Sequence, residues 1–235
     1  MKAIGDRMKE NYENRHRHYL TRRTPVVIRV DGKAFHTFTA KMDKPFDHKF
    51  MASMVLAAEY AAMRIQGFKA AYVQSDEASF LLTDYDSFET EAWFDYNKSK
   101  LESVTAALMT AGFIQAYFTM LNKNICDVEE LPCFDARAFN LPREEVVNYF
   151  RWRALDWERN SISMYARAFF SQKQLHGVDR AGMHELLHSV GKNWATDLPL
   201  RDKNGTYLTV ASRLATPLRR DDITTSYADI SNVLD

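Results

Sequence analysis

The chain has 235 residues, 46% of them hydrophobic and 26% charged, and its 31 Lys and Arg balance 31 Asp and Glu. That length fits one domain with extensions, the composition is ordinary for a globular protein, and no disorder-length tract stands out. Zero net charge argues against holding nucleic acid by bulk charge, and the apolar runs look shorter than the ~20 residues a membrane span needs.

Charge is nevertheless uneven. Residues 1–25 carry seven Lys or Arg against three Asp or Glu, and residues 201–220 carry five against one. Local basic faces suit a phosphate-rich partner, although solvated charge runs are common. The N-terminal Met-Lys-Ala-Ile-Gly-Asp has no signal-peptide core, so a cytoplasmic protein is expected. Cys126 and Cys133 lack metal-ligand spacing and read as reduced thiols near a loop.

In chain order, residues 2–20 read as a charged helix, and Thr24-Pro25 resets the backbone before a β-branched strand, Val26 to Val30. Asp31-Gly32 ends that strand. Asp47 can cap a helix with Phe50, Met51, Met54, Ala58, Ala61 and Ile65 along one stripe, which Gly67 ends. Ala71 to Val73 and Ala78 to Leu82 are short strands around an acidic turn, and a long helix is expected from about Glu89 to Met120. Phe134 to Phe139 is a fourth strand, and Pro142 opens an aromatic-rich helix running to about Ser171. A short helix over Arg180 to Ser189, a strand over Thr206 to Val210 and a polar tail from Asp221 complete the chain.

Strand, helix, strand, strand, helix, strand is the split βαβ pattern: an antiparallel α+β sheet with the long helices on one face and strands one and three at its centre. Asp31 and Asp76 would then meet. Two carboxylates with a glycine carbonyl make an all-oxygen site suited to Mg²⁺, although Asp31-Gly32 and Ser75-Asp76 are also ordinary turn residues. Lys100 shares a helical stripe with Val104 and Leu108, so it is expected to point toward the sheet and to need an anion there. None of the eight glycines forms a P-loop or a Rossmann phosphate cradle.

The words Arg29 to Phe38, Lys44-Pro-Phe-Asp47, Tyr72 to Glu77, Trp93-Phe94 with Ser99-Lys100, Phe134-Asp-Ala-Arg137 and Trp152 to Ile162 occur in one order over most of residues 1–175. In this the chain resembles the tRNA(His) guanylyltransferase family, most of all its guanylyltransferase-like branch. The resemblance implies a polymerase-palm-like catalytic domain over 1–175, with 176–235 a small helical and β extension packed on it. It implies nucleotide addition to tRNA 5′ ends in the 3′-to-5′ direction, with two Mg²⁺, with ATP or GTP activating the 5′-phosphate, and in a homotetramer with no membrane partner. By position, Asp31, Gly32 and Asp76 would hold the metals, and Glu77 and Lys100 would join the catalytic group. Lys33, Ala34, Phe35, His36, Lys44, Asp47 and Ser75 would bind nucleotide, and Lys98, Lys100, Arg137, Arg159 and Asn160 would face RNA.

Where eukaryotic members carry His-Ile-Asn-Asn, this chain has Glu158-Arg159-Asn160-Ser161, which favours templated 5′-end repair over strict tRNA(His) guanylylation. An arginine common in the family before the Ser-Lys pair is replaced by Asn97. A competing signal is His184-Glu185-Leu-Leu-His188, the spacing of a zinc metallohydrolase helix; no His or Glu follows it to serve as third ligand. The aromatics Tyr149, Phe150, Trp152, Trp157, Phe169 and Phe170 read as core or subunit interface rather than base-stacking platforms.

Overall fold

The computed structural model describes residues 2–128, 130–210 and 223–226. In order these form α1 (Ile4–Asn11), β1 (Val26–Gly32), α2 (Phe35–Phe38), α3 (His48–Ala62), β2 (Phe68–Gln74), β3 (Glu77–Leu82), α4 (Lys98–Leu121), β4 (Phe134–Asn140), α5 (Val146–Arg167), α6 (Gln172–Leu175), α7 (Arg180–Ser189), α8 (Trp194–Asp197), α9 (Leu200–Asn204), β5 (Thr206–Val210) and β6 (Ile223–Ser226). The strands make one antiparallel sheet in the order β4-β1-β3-β2-β5-β6. β1 and β3 are central neighbours, as the split βαβ reading requires.

Side chains alternate across each strand, and here both faces are covered. Val26, Ile28, Val30, Ala78, Phe80 and Leu82 pack with α3 and α4, and Gly112 lets those helices close, since a Cβ there would lie 3.0 Å from the Ala57 Cα. Val27, Leu81, Tyr72 and Tyr207 pack instead with Val146, Phe150 and Trp157 of α5. The helices of the βαβ unit thus share one face while the third long helix covers the other. That explains why β1 begins with three consecutive buried residues, Val26-Val27-Ile28.

Three expected boundaries move. The N-terminal helix stops at Asn11 with none of its residues buried, residues 18–20 run beside residues 96–98, and Arg22, in a turn, pairs with the fully buried Asp84 at 2.8 Å. The long helix begins at Lys98 rather than Glu89. Phe94, Asp95 and Tyr96 all have positive φ, and the Asn97 side chain then accepts from the Lys100 amide as N-cap. The tail is not wholly unstructured: Ile223–Ser226 pairs with β5, and the rest of residues 221–235 lies outside the described residues.

α4 is, among the described residues, long and apolar enough to cross a membrane by length and composition, which the sequence reading overlooked. Its Leu101, Thr105, Met109 and Phe113 face is buried against the sheet and α3, as in a core helix. Lys100, Val104 and Leu108 flank that stripe, so Lys100 is exposed, with its ammonium 5.3 Å from the Phe94 ring centroid, and the expected buried lysine is not found.

Candidate active site at the end of the central strands

β1 delivers Asp31, and the two-residue turn Ser75-Asp76 joins β2 to β3 beside it. The Gly32 amide donates to the Asp76 carbonyl at 3.0 Å, which ties the turn to the end of β1. Gly32 has to be glycine, because a Cβ would meet the Phe35 ring at 2.4 Å. Burial pushes the Asp76 carboxyl above its ordinary value and the neighbouring Asp31 charge adds to the rise. The Asp76 main chain, the Ser75 hydroxyl and Arg29 oppose it.

Glu77 differs from its neighbour. Its Cα pairs with Asp31, but both its oxygens are taken: Arg153 binds them at 2.7 and 2.8 Å, and Arg29 binds one at 2.7 Å. Burial pushes this carboxyl up and the two guanidiniums pull it back. The Glu77 expected to act in catalysis is therefore an ion-paired residue behind the site. Sequence reasoning missed Arg29 and Arg153. Both were legible as arginines at inward positions, one between Val27 and Asp31 in a strand, the other between Phe150 and Trp157 on a helix stripe.

Several expected nucleotide residues gather at this end. Lys33 donates its amide to the Cys133 carbonyl, Ala34 adopts a left-handed conformation, and Phe35 is buried among Phe38, Phe50, Phe113 and Phe134, so only its main chain faces outward chemistry. His36 is exposed and bonded to the Thr37 hydroxyl. Lys44 reaches the Thr39 carbonyl, and Asp47 caps α3 through the Phe50 amide. Ser75 has φ 45°.

The RNA-facing residues divide. Arg137 stands opposite Arg29 on β4, two residues along from the level of Asp31, and pairs loosely with Asp135. Arg159 and Asn160 are exposed beyond Arg153 on α5, with Arg159 paired to Asp156. Lys98 and Lys100 are not brought to this end. Glu102 accepts from the Ala138 amide and Thr110 from the Phe134 amide, so α4 runs along β4 with its N-terminus away from Asp31. Lys100 sits roughly 15 Å along the sheet from the carboxylates at ~3.3 Å per strand residue. In one chain it cannot join Asp31 and Asp76 in catalysis.

The donor set at the strand end is two carboxylates and a main-chain oxygen. Among the described residues no three His, Cys, Asp or Glu side chains gather as a metal site, and neither Asp31 nor Asp76 carries an ion pair. Such a half-finished, mutually repelling oxygen set fits Mg²⁺, which completes its shell with water and phosphate. At α7, His184 lies edge-on to Trp194 and His188 is exposed, with no third ligand among the described residues.

Compared with known proteins, residues 5–142 match the model of the Thg1 family, tRNAHis guanylyltransferase. This chain belongs to that family. Its members are nucleotidyltransferases. The tRNA(His) guanylyltransferase of Schizosaccharomyces pombe is 33% identical over 181 residues, 71% of this chain and 66% of that enzyme. A bacterial Thg1-like protein solved in complex with ATP is 38% identical, with a TM-score of 0.87 over 98% of this chain and 95% of the other. A bacterial Thg1-like protein in complex with GTP is 35% identical with a TM-score of 0.77 over the same shares. The likeness to both solved structures extends past residue 142 to the elements after α5.

Proposed function

We propose that the chain is a Mg²⁺-dependent nucleotidyltransferase that adds nucleotides to the 5′ end of tRNA in the 3′-to-5′ direction, repairing truncated ends on a template. The observation that carries this is the convergence of Asp31 and Asp76 at the end of β1, with no ion pair to either among the described residues. ATP or GTP would activate the RNA 5′-phosphate, and the 3′-hydroxyl of an incoming nucleoside triphosphate would attack that end. Asp31, Asp76 and the Gly32 carbonyl would hold Mg²⁺, which when bound supplies charge stabilisation at phosphate and a lowered pKa for the attacking hydroxyl. Lys44, Asp47 and Ser75 would orient the triphosphate, and Arg137, Arg159 and Asn160 the RNA.

Template reading is supported by the tract Glu158 to Ser161, which has lost a histidine and an asparagine of the strict enzymes, its Glu158 being paired to Arg180 instead. Base pairing can choose the nucleotide without protein contacts to base edges, as in guided systems. A homotetramer would cover Trp152 and Leu155, both exposed on α5, and would offer Lys98 and Lys100 to a neighbouring site; light scattering tests it. Residues 176–210 would fold only with the palm, since β5 extends its sheet.

The decisive assay is addition to 5′-truncated tRNAs carrying each opposing base, with Asp31→Ala and Asp76→Ala alongside. Product that follows the template base and disappears in both variants is expected. Addition of G whatever the template, only on tRNA(His), would assign the strict activity instead, and near-normal addition by either variant would end the two-carboxylate reading.

A further inference from the structure

We propose that Arg153 is a positioning residue for the Asp31 and Asp76 carboxylates, acting through Glu77; this rests on the reading of those carboxylates as the reaction centre. Arg153 projects from α5 and is 5% exposed, as is Glu77. Its Nε and a terminal nitrogen each bind a different Glu77 oxygen, at 2.7 and 2.8 Å. A fork of that kind fixes the plane and rotation of a carboxylate, which the single Arg29 contact at 2.7 Å cannot do.

Glu77 is the pivot of the turn. It follows Asp76 in the chain, pairs with Asp31 in β1, pairs with Gln74 in β2, and accepts from the Gln74 side-chain amide at 3.4 Å. Both residues that bracket Ser75-Asp76 are therefore fastened to one carboxylate that α5 holds. The turn needs fastening, because Ser75 is left-handed and Asp31 repels Asp76. Arg153 is itself pinned by Asp156 at 3.0 Å, and the Trp152 ring centroid lies 4.4 Å from its guanidinium carbon. Arg29 and Arg153 are both taken up by Glu77, and Asp156 holds Arg153 together with the exposed Arg159, so none of these arginines is ion-paired to Asp31 or Asp76.

The test compares Arg153→Met and Arg153→Lys with Phe150→Leu, a packing change one turn earlier on the same helix face. At saturating Mg²⁺ and nucleotide, Arg153→Met should lower kcat for addition about tenfold or more, with KM for nucleotide changed by less than about threefold, since a ~1 Å misplacement can cost 100-fold. Arg153→Lys, which keeps the charge without the fork, should fall between. Phe150→Leu should lower Tm and leave kcat alone. A readout independent of activity is exchange of the Gly32 amide hydrogen, which should accelerate in Arg153→Met and not in Phe150→Leu. Unchanged Gly32 exchange in both Arg153 variants, or equal loss of kcat in Phe150→Leu at equal loss of Tm, would overturn the proposal. Activity of the wild-type protein reads the functional assignment and the variant ratios read Arg153, so the two fail separately. If Arg153→Met does not fold, Arg153→Lys decides: a kcat within about twofold of wild type overturns the role.

Discussion

The Gly32 N–H donates to the Asp76 carbonyl at 3.0 Å, and through that bond the end of one central strand fixes the turn beside the next. The same glycine lies under the Phe35 ring, 2.4 Å from where a Cβ would stand. Gly32→Ala must therefore displace either the ring or the strand. We expect a loss of about 1–3 kcal/mol in stability, typical of overpacking, and a fall in nucleotide addition of about tenfold or more. Thermal melts and steady-state kinetics on one preparation separate the two effects.

Asp76 is a buried carboxyl beside a second one, and its charge works against stability. Its folded pKa is raised, so between the unfolded and folded values the native state holds more protons than the unfolded one, and stability falls as pH rises through that window. Above it the metal-free protein carries in full the cost of burying the Asp76 charge, with its repulsion from Asp31 added. Asp76→Asn should then raise Tm at neutral pH in EDTA by roughly 2–4 °C, equivalent to about 1 kcal/mol at this size, and should abolish any stabilisation by Mg²⁺. A Tm below wild type in EDTA would contradict the repulsion; a retained Mg²⁺ increment would contradict metal binding by Asp76.

The two lysines expected from sequence to meet phosphate should behave differently. Lys44 lies in the segment between α2 and α3 at the carboxylate end, whereas Lys100 is on the far part of α4. Lys44→Ala should weaken Mg²⁺-dependent ATP binding measured by calorimetry. Lys100→Ala should leave that binding within about twofold and instead raise KM for RNA, reducing its salt dependence by about one counterion. Loss of ATP binding in Lys100→Ala would mean that another subunit delivers it to the nucleotide.

The sheet was legible because strand order follows from the alternation of strands and helices, and Asp31 with Asp76 followed from that order alone. What was not legible is where long side chains go. Glu77 reads as a third acid beside Asp76, and only the fold brings up the two arginines that hold it. Lys100 was assigned inward because Val104 and Leu108 look like a core stripe, yet the buried stripe is Leu101, Thr105 and Met109, one residue around the helix. The helix start at Lys98 was hidden because three non-glycine residues with positive φ give no compositional signal.

The tract on which the proposed template reading rests includes Ser161, and the fold gives that serine a structural task. It is fully buried, its hydroxyl donates to the Asp202 carbonyl at 2.7 Å, and it accepts from the Trp194 indole at 3.0 Å. Glu158, three residues earlier, pairs with Arg180 of α7. Two of the four positions therefore hold α5 to the elements after it, which leaves Arg159 and Asn160 facing outward. Restoring the eukaryotic asparagine with Ser161→Asn should not restore tRNA(His) preference. A larger amide in a filled site should cost about 1–3 kcal/mol, while the nucleotide added continues to follow the template. A gain of G addition on tRNA(His) at unchanged Tm would show that residue 161 reads RNA after all, and the packing account of this tract would be wrong.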